Sequence, residues 1–259
     1  MRKIKSNVVL VNLNYQDNPV KRGVGLFVPN LGIDSIYTNL KKCKYLNLNL
    51  TVIDSVLYNL DKTQTKEKIL KLNPEIVGFS TTYVNIKDAL SISKELKKEN
   101  PNIITVIGGS GAKSLSILKK RQNIKFLNYC IVGDGERIFE KIIRDRKKTI
   151  QTIYTKNIVV NLDSLDFPKR ECFYTEKYIK INQKTTKEKE SCLNIYTSKG
   201  CDWARCVYCT VGNPYRVRNP QKVKEELDYL LQKFGITKLI IVDDNFFSYK
   251  TLIEYIRYV

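Results

Sequence analysis

The stretch Ile104-Thr105-Val106-Ile107-Gly108-Gly109-Ser110-Gly111 decides the fold. Four β-branched residues run straight into a glycine-rich turn, the pattern of a buried strand that delivers the chain to a loop at the end of a sheet. Working outward, Ile76–Ser80 lies before it and Tyr129–Val132 after it, with Val8–Leu13 and Leu50–Asp54 earlier still. Each run is short and rich in Val and Ile, as parallel strands covered on both faces should be. Amphipathic segments separate them. Ile86, Ala89, Leu90, Ile92, Ser93 and Leu96 share one helical face with lysines opposite, and Thr65–Leu72 and Gly135–Arg146 behave similarly. Asn85 is placed to cap the first of these helices, and Asn100-Pro101 to stop it. Five β/α units in this order imply an α/β fold, a Rossmann-like doubly wound parallel sheet over residues 1–149.

Ligands of such sheets bind where the strands end. Here the ends carry Ser80-Thr81-Thr82, then Gly108-Gly109-Ser110-Gly111, then Gly133-Asp134-Gly135-Glu136. Glycine lets a phosphate or a ring approach the backbone, and the helix that follows favours an anion at its N-terminus. For any single loop a tight turn is sufficient explanation; three on one edge point to a binding cleft. No G-x-G-x-x-G follows the first strand, which argues against a dinucleotide site.

Beyond this domain, residues 150–191 read as a hairpin (Ile150–Val160) and a connecting segment (Asn161–Glu190). A second pattern starts at Cys192: strand Leu193–Thr197, loop Cys201–Gly212, helix Gln221–Phe234 opened by Asn219-Pro220, strand Lys238–Val242 and helix Ser248–Tyr258.

Composition narrows the chemistry. Formal charge is +19, from 45 Lys and Arg against 26 Asp and Glu. The lysines are spread along the whole chain with no basic block, so we read a compositional bias and not a nucleic-acid-binding patch. The chain has no histidine, which removes any histidine general base, triad or metal ligand of its own. No run of eighteen apolar residues could span a bilayer, and the apolar stretch after Met1–Lys5 is too short for a signal peptide. The protein is expected to be cytoplasmic, with its seven cysteines as reduced thiols or metal ligands.

Three of them stand in Ser198-Lys199-Gly200-Cys201-Asp202-Trp203-Ala204-Arg205-Cys206-Val207-Tyr208-Cys209. Thiolates so spaced, in a loop between a strand and a helix, can converge on one metal centre. Structural zinc wants four closed ligands, and no second C-x-x-C and no histidine completes them. A redox C-x-x-C at Cys206 and Cys209 would leave Cys201 unexplained. Plain buried thiols seldom cluster so tightly. Three ligands without a fourth suit a 4Fe-4S cluster with one iron open.

Thr197-Ser198-Lys199-Gly200-Cys201…Cys206-Val207-Tyr208-Cys209 resembles the radical S-adenosylmethionine signature, in which an aromatic precedes the last cysteine. The runs Tyr215-Arg216-Val217-Arg218-Asn219-Pro220, Val223…Glu226-Leu227 and Ile241-Val242-Asp243-Asp244-Asn245-Phe246 are similar to members with an N-terminal cobalamin (vitamin B12)-binding domain. So are Pro74–Ser80, Ile107-Gly108-Gly109 and Val132–Glu136. The resemblance implies that residues 192–259 form the first two β/α units of a radical SAM partial TIM barrel. It implies Cys201, Cys206 and Cys209 as cluster ligands, with Tyr208, Asp243 and Asp244 at S-adenosylmethionine. It also implies cobalamin near Ser80, Thr81, Thr82, Gly108, Gly109, Ser110, Gly133, Gly135 and Glu136.

The implied activity is reductive cleavage of S-adenosylmethionine to a 5′-deoxyadenosyl radical, serving methyl transfer or related radical chemistry. An external electron donor such as flavodoxin or ferredoxin is implied as partner, with a substrate that nothing here specifies. Three features depart from the pattern. The first two cysteines are separated by four residues where three is commonest. A D-x-H-x-x-G loop to ligate cobalt cannot exist without histidine. The pattern ends after two β/α units, where a full eight-unit barrel takes about 250 residues. The chain is therefore expected to be C-terminally truncated and not to turn over substrate alone; a separate C-terminal chain is one expected partner. The rival readings are a non-catalytic corrinoid- or partner-binding module and an electrostatically driven nucleic-acid binder.

Overall fold

The computed structural model describes residues 4–15, 27–118, 124, 126–146, 153–154, 159–185, 189–209, 211, 214–246 and 248. Contacts divide the chain into two units, Met1–Arg22 with Gly32–Ile158, and Gly23–Leu31 with Val159–Val259.

In the first unit, strands β1 (Ile4–Asn12), β2 (Leu46–Asp54), β3 (Ile76–Ser80), β4 (Ile104–Gly108), β5 (Tyr129–Cys130) and β6 (Ile153–Tyr154) form one sheet in the order β2-β1-β3-β4-β5-β6. Every pairing is parallel. The helices are α1 (Leu31–Lys42), α2 (Lys62–Lys71), α3 (Ile86–Glu99), α4 (Ser110–Leu118) and α5 (Glu136–Asp145). Val8 to Val11 are at most 2% exposed, because the sheet is covered on both faces. Successive side chains point to opposite faces. Val9, Val11, Val77, Phe79 and Ile107 face Ile69 of α2, Ala89, Ile92 and Leu96 of α3 and Ala112 of α4. On the other face Phe139 of α5 lies over Gly78, where an added Cβ would meet its ring at 2.6 Å. That approach is why the middle of a buried strand holds a glycine.

The five expected strands are present, and the doubly wound sheet is the observed fold. Ile153–Tyr154, expected in a hairpin, instead adds a sixth parallel strand beside β5. A hairpin would pair it antiparallel with its neighbour in sequence; the sheet offers β5 a parallel partner. Asn85 does precede α3, but its side chain makes no cap. It accepts from the Thr82 N–H at 2.8 Å and donates to the Leu13 carbonyl at 2.9 Å, tying two strand ends together. The capping box sits on α2, where Asp61 and Gln64 satisfy each other's backbone N–H.

The second unit holds β7 (Cys192–Ile195), β8 (Ser198–Lys199), β9 (Arg216–Val217), α7 (Pro220–Phe234) and β10 (Lys238–Ile241). β7 and β10 pair in parallel across the α7 crossover, and β8 and β9 pair antiparallel. Asn219 caps α7, Pro220 opens it and Gly235 closes it in the left-handed conformation. Leu193, Ile195, Val223 and Leu230 form the core with Ile179. Ile179 lies in α6 (Thr175–Thr185), within the segment expected merely to connect. The segment is structured because α6 buries Thr175, Tyr178, Ile179 and Asn182, and Asn182 exchanges two hydrogen bonds of 2.7 Å with the Phe27 backbone. The segment from Val159 thus groups with the second unit. The expected helix Ser248–Tyr258 lies outside the described residues apart from Ser248.

Candidate functional site

The cysteine loop leaves the end of β7 and is held by the end of β10. Thr197 and Ser198 are buried. The Asp243 carboxylate accepts the Thr197 N–H at 2.7 Å, the Ser198 hydroxyl at 2.8 Å and the Thr197 hydroxyl. Asp244 accepts the Gly200 N–H at 2.8 Å, and Gly200 is left-handed (φ 87°). Asn245 donates toward the Cys201 sulfur at 3.8 Å and to Asp202 at 2.6 Å. The hydroxyl of Ser248 also reaches Asp202 at 2.7 Å, and chiefly through that bond the Asp202 carboxyl is held below its usual range, with partial loss of water opposing it and Asn245 acting the same way as Ser248.

Cys201 is half-buried, whereas Cys206 and Cys209 are exposed. The Cys209 N–H bonds the Cys206 carbonyl at 3.0 Å, and its sulfur accepts the Val211 N–H at 3.4 Å. Tyr208 is 87% exposed; its phenol is pushed up by a hydrogen bond to the Cys206 side chain, then by the charges of Cys206 and Cys209 and a little desolvation. Among the described residues no three Cys, His, Asp or Glu side chains stand together as a metal site. The exposed sulfurs of Cys206 and Cys209 would have to turn to share a centre with Cys201. The donor set nonetheless suits an iron–sulfur cluster: three thiols on one nine-residue loop, two of whose sulfurs already receive N–H donors of the kind that tune such clusters.

A buried charge cluster joins Arg218 and Glu226, which the sequence reading quotes without a role, to Arg170, which it does not mention. Glu226 of α7 takes Arg218 at 2.6 Å and Arg170 at 2.9 Å, with all three side chains no more than 4% exposed. Arg218 also donates to the Tyr196 carbonyl at 2.7 Å, and Arg170 to that of Asn194. Both guanidiniums therefore grip the strand from which the cysteine loop departs.

On the first unit, the loops after β3 and β4 are zipped together. Thr81 donates its N–H and its hydroxyl to the Gly108 carbonyl, each at 2.9 Å, and accepts the Gly111 N–H at 3.0 Å. Gly109 is left-handed (φ 85°), and a Cβ there would stand 2.4 Å from the Thr81 carbonyl oxygen. Over Gly108, by contrast, a Cβ would meet nothing within 4 Å. Thr82, Gly109, Ser110 and Gly133 are exposed, while Ser80, Gly108 and Gly135 are half-buried. Glu136 turns inward: it is 3% exposed and accepts the Ser35 hydroxyl at 2.7 Å.

Residues 19–143 match the family model of the B12 binding domain. The chain as a whole is similar to several longer proteins. It is 24% identical to the uncharacterized methyltransferase PH0819 of Pyrococcus horikoshii, over 92% of this chain and 53% of that protein. It is 24% identical to an anaerobic magnesium-protoporphyrin IX monomethyl ester cyclase of Rubrivivax gelatinosus, over 74% of this chain and 38% of that one. It is 25% identical to a cytidylyl-2-hydroxyethylphosphonate methyltransferase of Streptomyces wedmorensis, over 73% and 43%. The chain thus spans about half, or less, of the length of these relatives. In fold it is similar to OxsB, a cobalamin-dependent S-adenosylmethionine radical enzyme, with TM-score 0.62 at 18% identity, over 94% of this chain and 34% of that one. Among the described residues, no helix is long and apolar enough to cross a membrane.

Proposed function

We propose that this chain carries the cobalamin-binding and cluster-holding parts of a methyltransferase-like radical S-adenosylmethionine enzyme. When bound, a 4Fe-4S cluster would supply the electron that cleaves S-adenosylmethionine to a 5′-deoxyadenosyl radical, and cobalamin would serve as methyl carrier. Cys201, Cys206 and Cys209 would hold the first group, leaving one position open. Tyr208, exposed beside Cys206, would offer a ring face to the adenine. Thr82, Gly109, Ser110 and Gly133 would present backbone and hydroxyls to the corrinoid, and this chain offers no imidazole to its metal. The partner we infer is a one-electron donor of the flavodoxin or ferredoxin type. All seven cysteines are free thiols, which favours a cytoplasmic setting.

The observation that carries this reading is the three-thiol loop anchored at the end of a buried parallel strand. Its test is anaerobic isolation with iron and sulfide analysis. Cys201→Ala, Cys206→Ala and Cys209→Ala should each abolish the brown chromophore, and Cys43→Ala should spare it. Stoichiometric zinc without iron would sink the assignment. The second reading is a corrinoid-binding module, which the match of residues 19–143 to the B12 binding domain favours. Iron and cobalamin binding with no 5′-deoxyadenosine formed under reduction would favour it.

A further inference from the structure

We propose that Asp243, Asp244 and Asn245 form a template that presets the cysteine loop, acting as positioning residues and not as contacts to a bound ligand. What it says of the cluster rests on the function proposed above.

The backbone ladder between β7 and β10 ends where the Val242 N–H meets the Ile195 carbonyl at 2.9 Å. Side chains then continue it, residue by residue. Asp243 takes Thr197 and Ser198, Asp244 takes Gly200, and Asn245 reaches Cys201 and Asp202. Three consecutive residues of one segment thus read off Thr197 to Asp202 of the other, in the same direction. An ionised carboxylate has about four lone-pair sites. Asp243 spends three of them on the loop, which leaves little for the amino group or ribose of a ligand.

The donors in turn need those acceptors. The Thr197 N–H belongs to a residue only 2% exposed, and a buried backbone donor without a partner is costly. Gly200 adopts the left-handed conformation in the turn that offers its N–H to Asp244. The same contacts give Asp243 one N–H and two O–H dipoles and Asp244 one N–H, which offsets their charge beside a centre built from thiolates. The amide of Asn245, fixed by Asp202, holds an N–H toward the first of the three sulfurs.

The test has two readouts. The first is amide hydrogen exchange on the full chain without cluster: Asp243→Ala should accelerate exchange at Thr197, and Asp244→Ala at Gly200. The second is iron per chain after anaerobic reconstitution without S-adenosylmethionine, which should fall several-fold in Asp243→Ala. Asp243→Asn keeps one carbonyl acceptor and should recover part of the iron. If Asp243→Ala does not fold, Asp244→Ala decides, since that carboxylate is exposed. Full iron and unchanged exchange, with S-adenosylmethionine binding lost in equilibrium dialysis, would overturn the template and make the carboxylates ligand contacts. Should the native chain take up no iron while exchange still accelerates in the variants, the proposed function fails and the template stands. Unchanged exchange removes the template whatever the iron does.

Discussion

Arg218 donates to Glu226 at 2.6 Å with both side chains out of water, at 4% and 1% exposure. The pair is one of two contacts in a triad, since Arg170, itself fully buried, holds the other oxygen of the same carboxylate. Two buried guanidiniums share one carboxylate, and the carbonyls of Asn194 and Tyr196 accept from them as well.

Glu226→Gln should therefore destabilise the second unit strongly. It leaves two buried cations without their counter-ion, a change that typically costs about 3–5 kcal/mol. Chemical denaturation followed by the fluorescence of Trp203 in that unit measures it. A loss below about 1 kcal/mol would mean that water reaches the triad.

Gly109 and Gly108, adjacent in sequence, should respond in opposite ways. Gly109→Ala forces a side chain into a left-handed backbone and to within 2.4 Å of the Thr81 carbonyl. The backbone alone costs about 1–2 kcal/mol, and the close contact adds to it. Gly108→Ala meets open space, so it should be neutral or stabilise the strand by up to about 1 kcal/mol. Thermal melts of the two variants separate them. If the corrinoid approaches Gly108, that variant should also bind cobalamin less tightly at unchanged stability.

The sheet was legible because fully buried parallel strands are unbroken β-branched runs: Ile104–Ile107 could be little else. Helix α1 was not, since its inner face buries Asp34, Ser35 and Thr38 among its leucines and isoleucines, which breaks the apolar period. Thr175 and Asn182 hide α6 in the same way. The cysteine loop announced itself through residue type and spacing alone. Its supports did not. Thr197 and Asp243 are 46 residues apart, and no periodicity links a strand end to a turn that distant. Glu226 entered the sequence reading only through resemblance, and nothing in its spacing foretells the two arginines that close on it.

The cysteines themselves should differ in reactivity by position. Cys206 and Cys209 are exposed, while Cys130 is fully buried, and burial pushes its thiol up to about 12. Cys43 is raised to about 11, first by burial and then by the charge and hydrogen bond of Glu140, against a smaller opposing pull from Arg137. Because the thiolate is the nucleophile, iodoacetamide at pH 8 should modify Cys206 and Cys209 first and Cys130 last, as read by peptide mass spectrometry. Anaerobic reconstitution with iron and sulfide should then protect Cys201, Cys206 and Cys209 together and leave Cys43 as it was. The raised thiol of Cys130 also has a consequence for stability. A group whose pKa is higher folded than unfolded holds its proton longer in the native state, so its contribution is complete below about 9 and is lost as pH rises toward about 12. Denaturation midpoints should accordingly fall between pH 9 and 12, and less steeply in Cys130→Ala than in the native chain. Early alkylation of Cys130 at pH 8 would show instead that the first unit opens around β5 without unfolding as a whole.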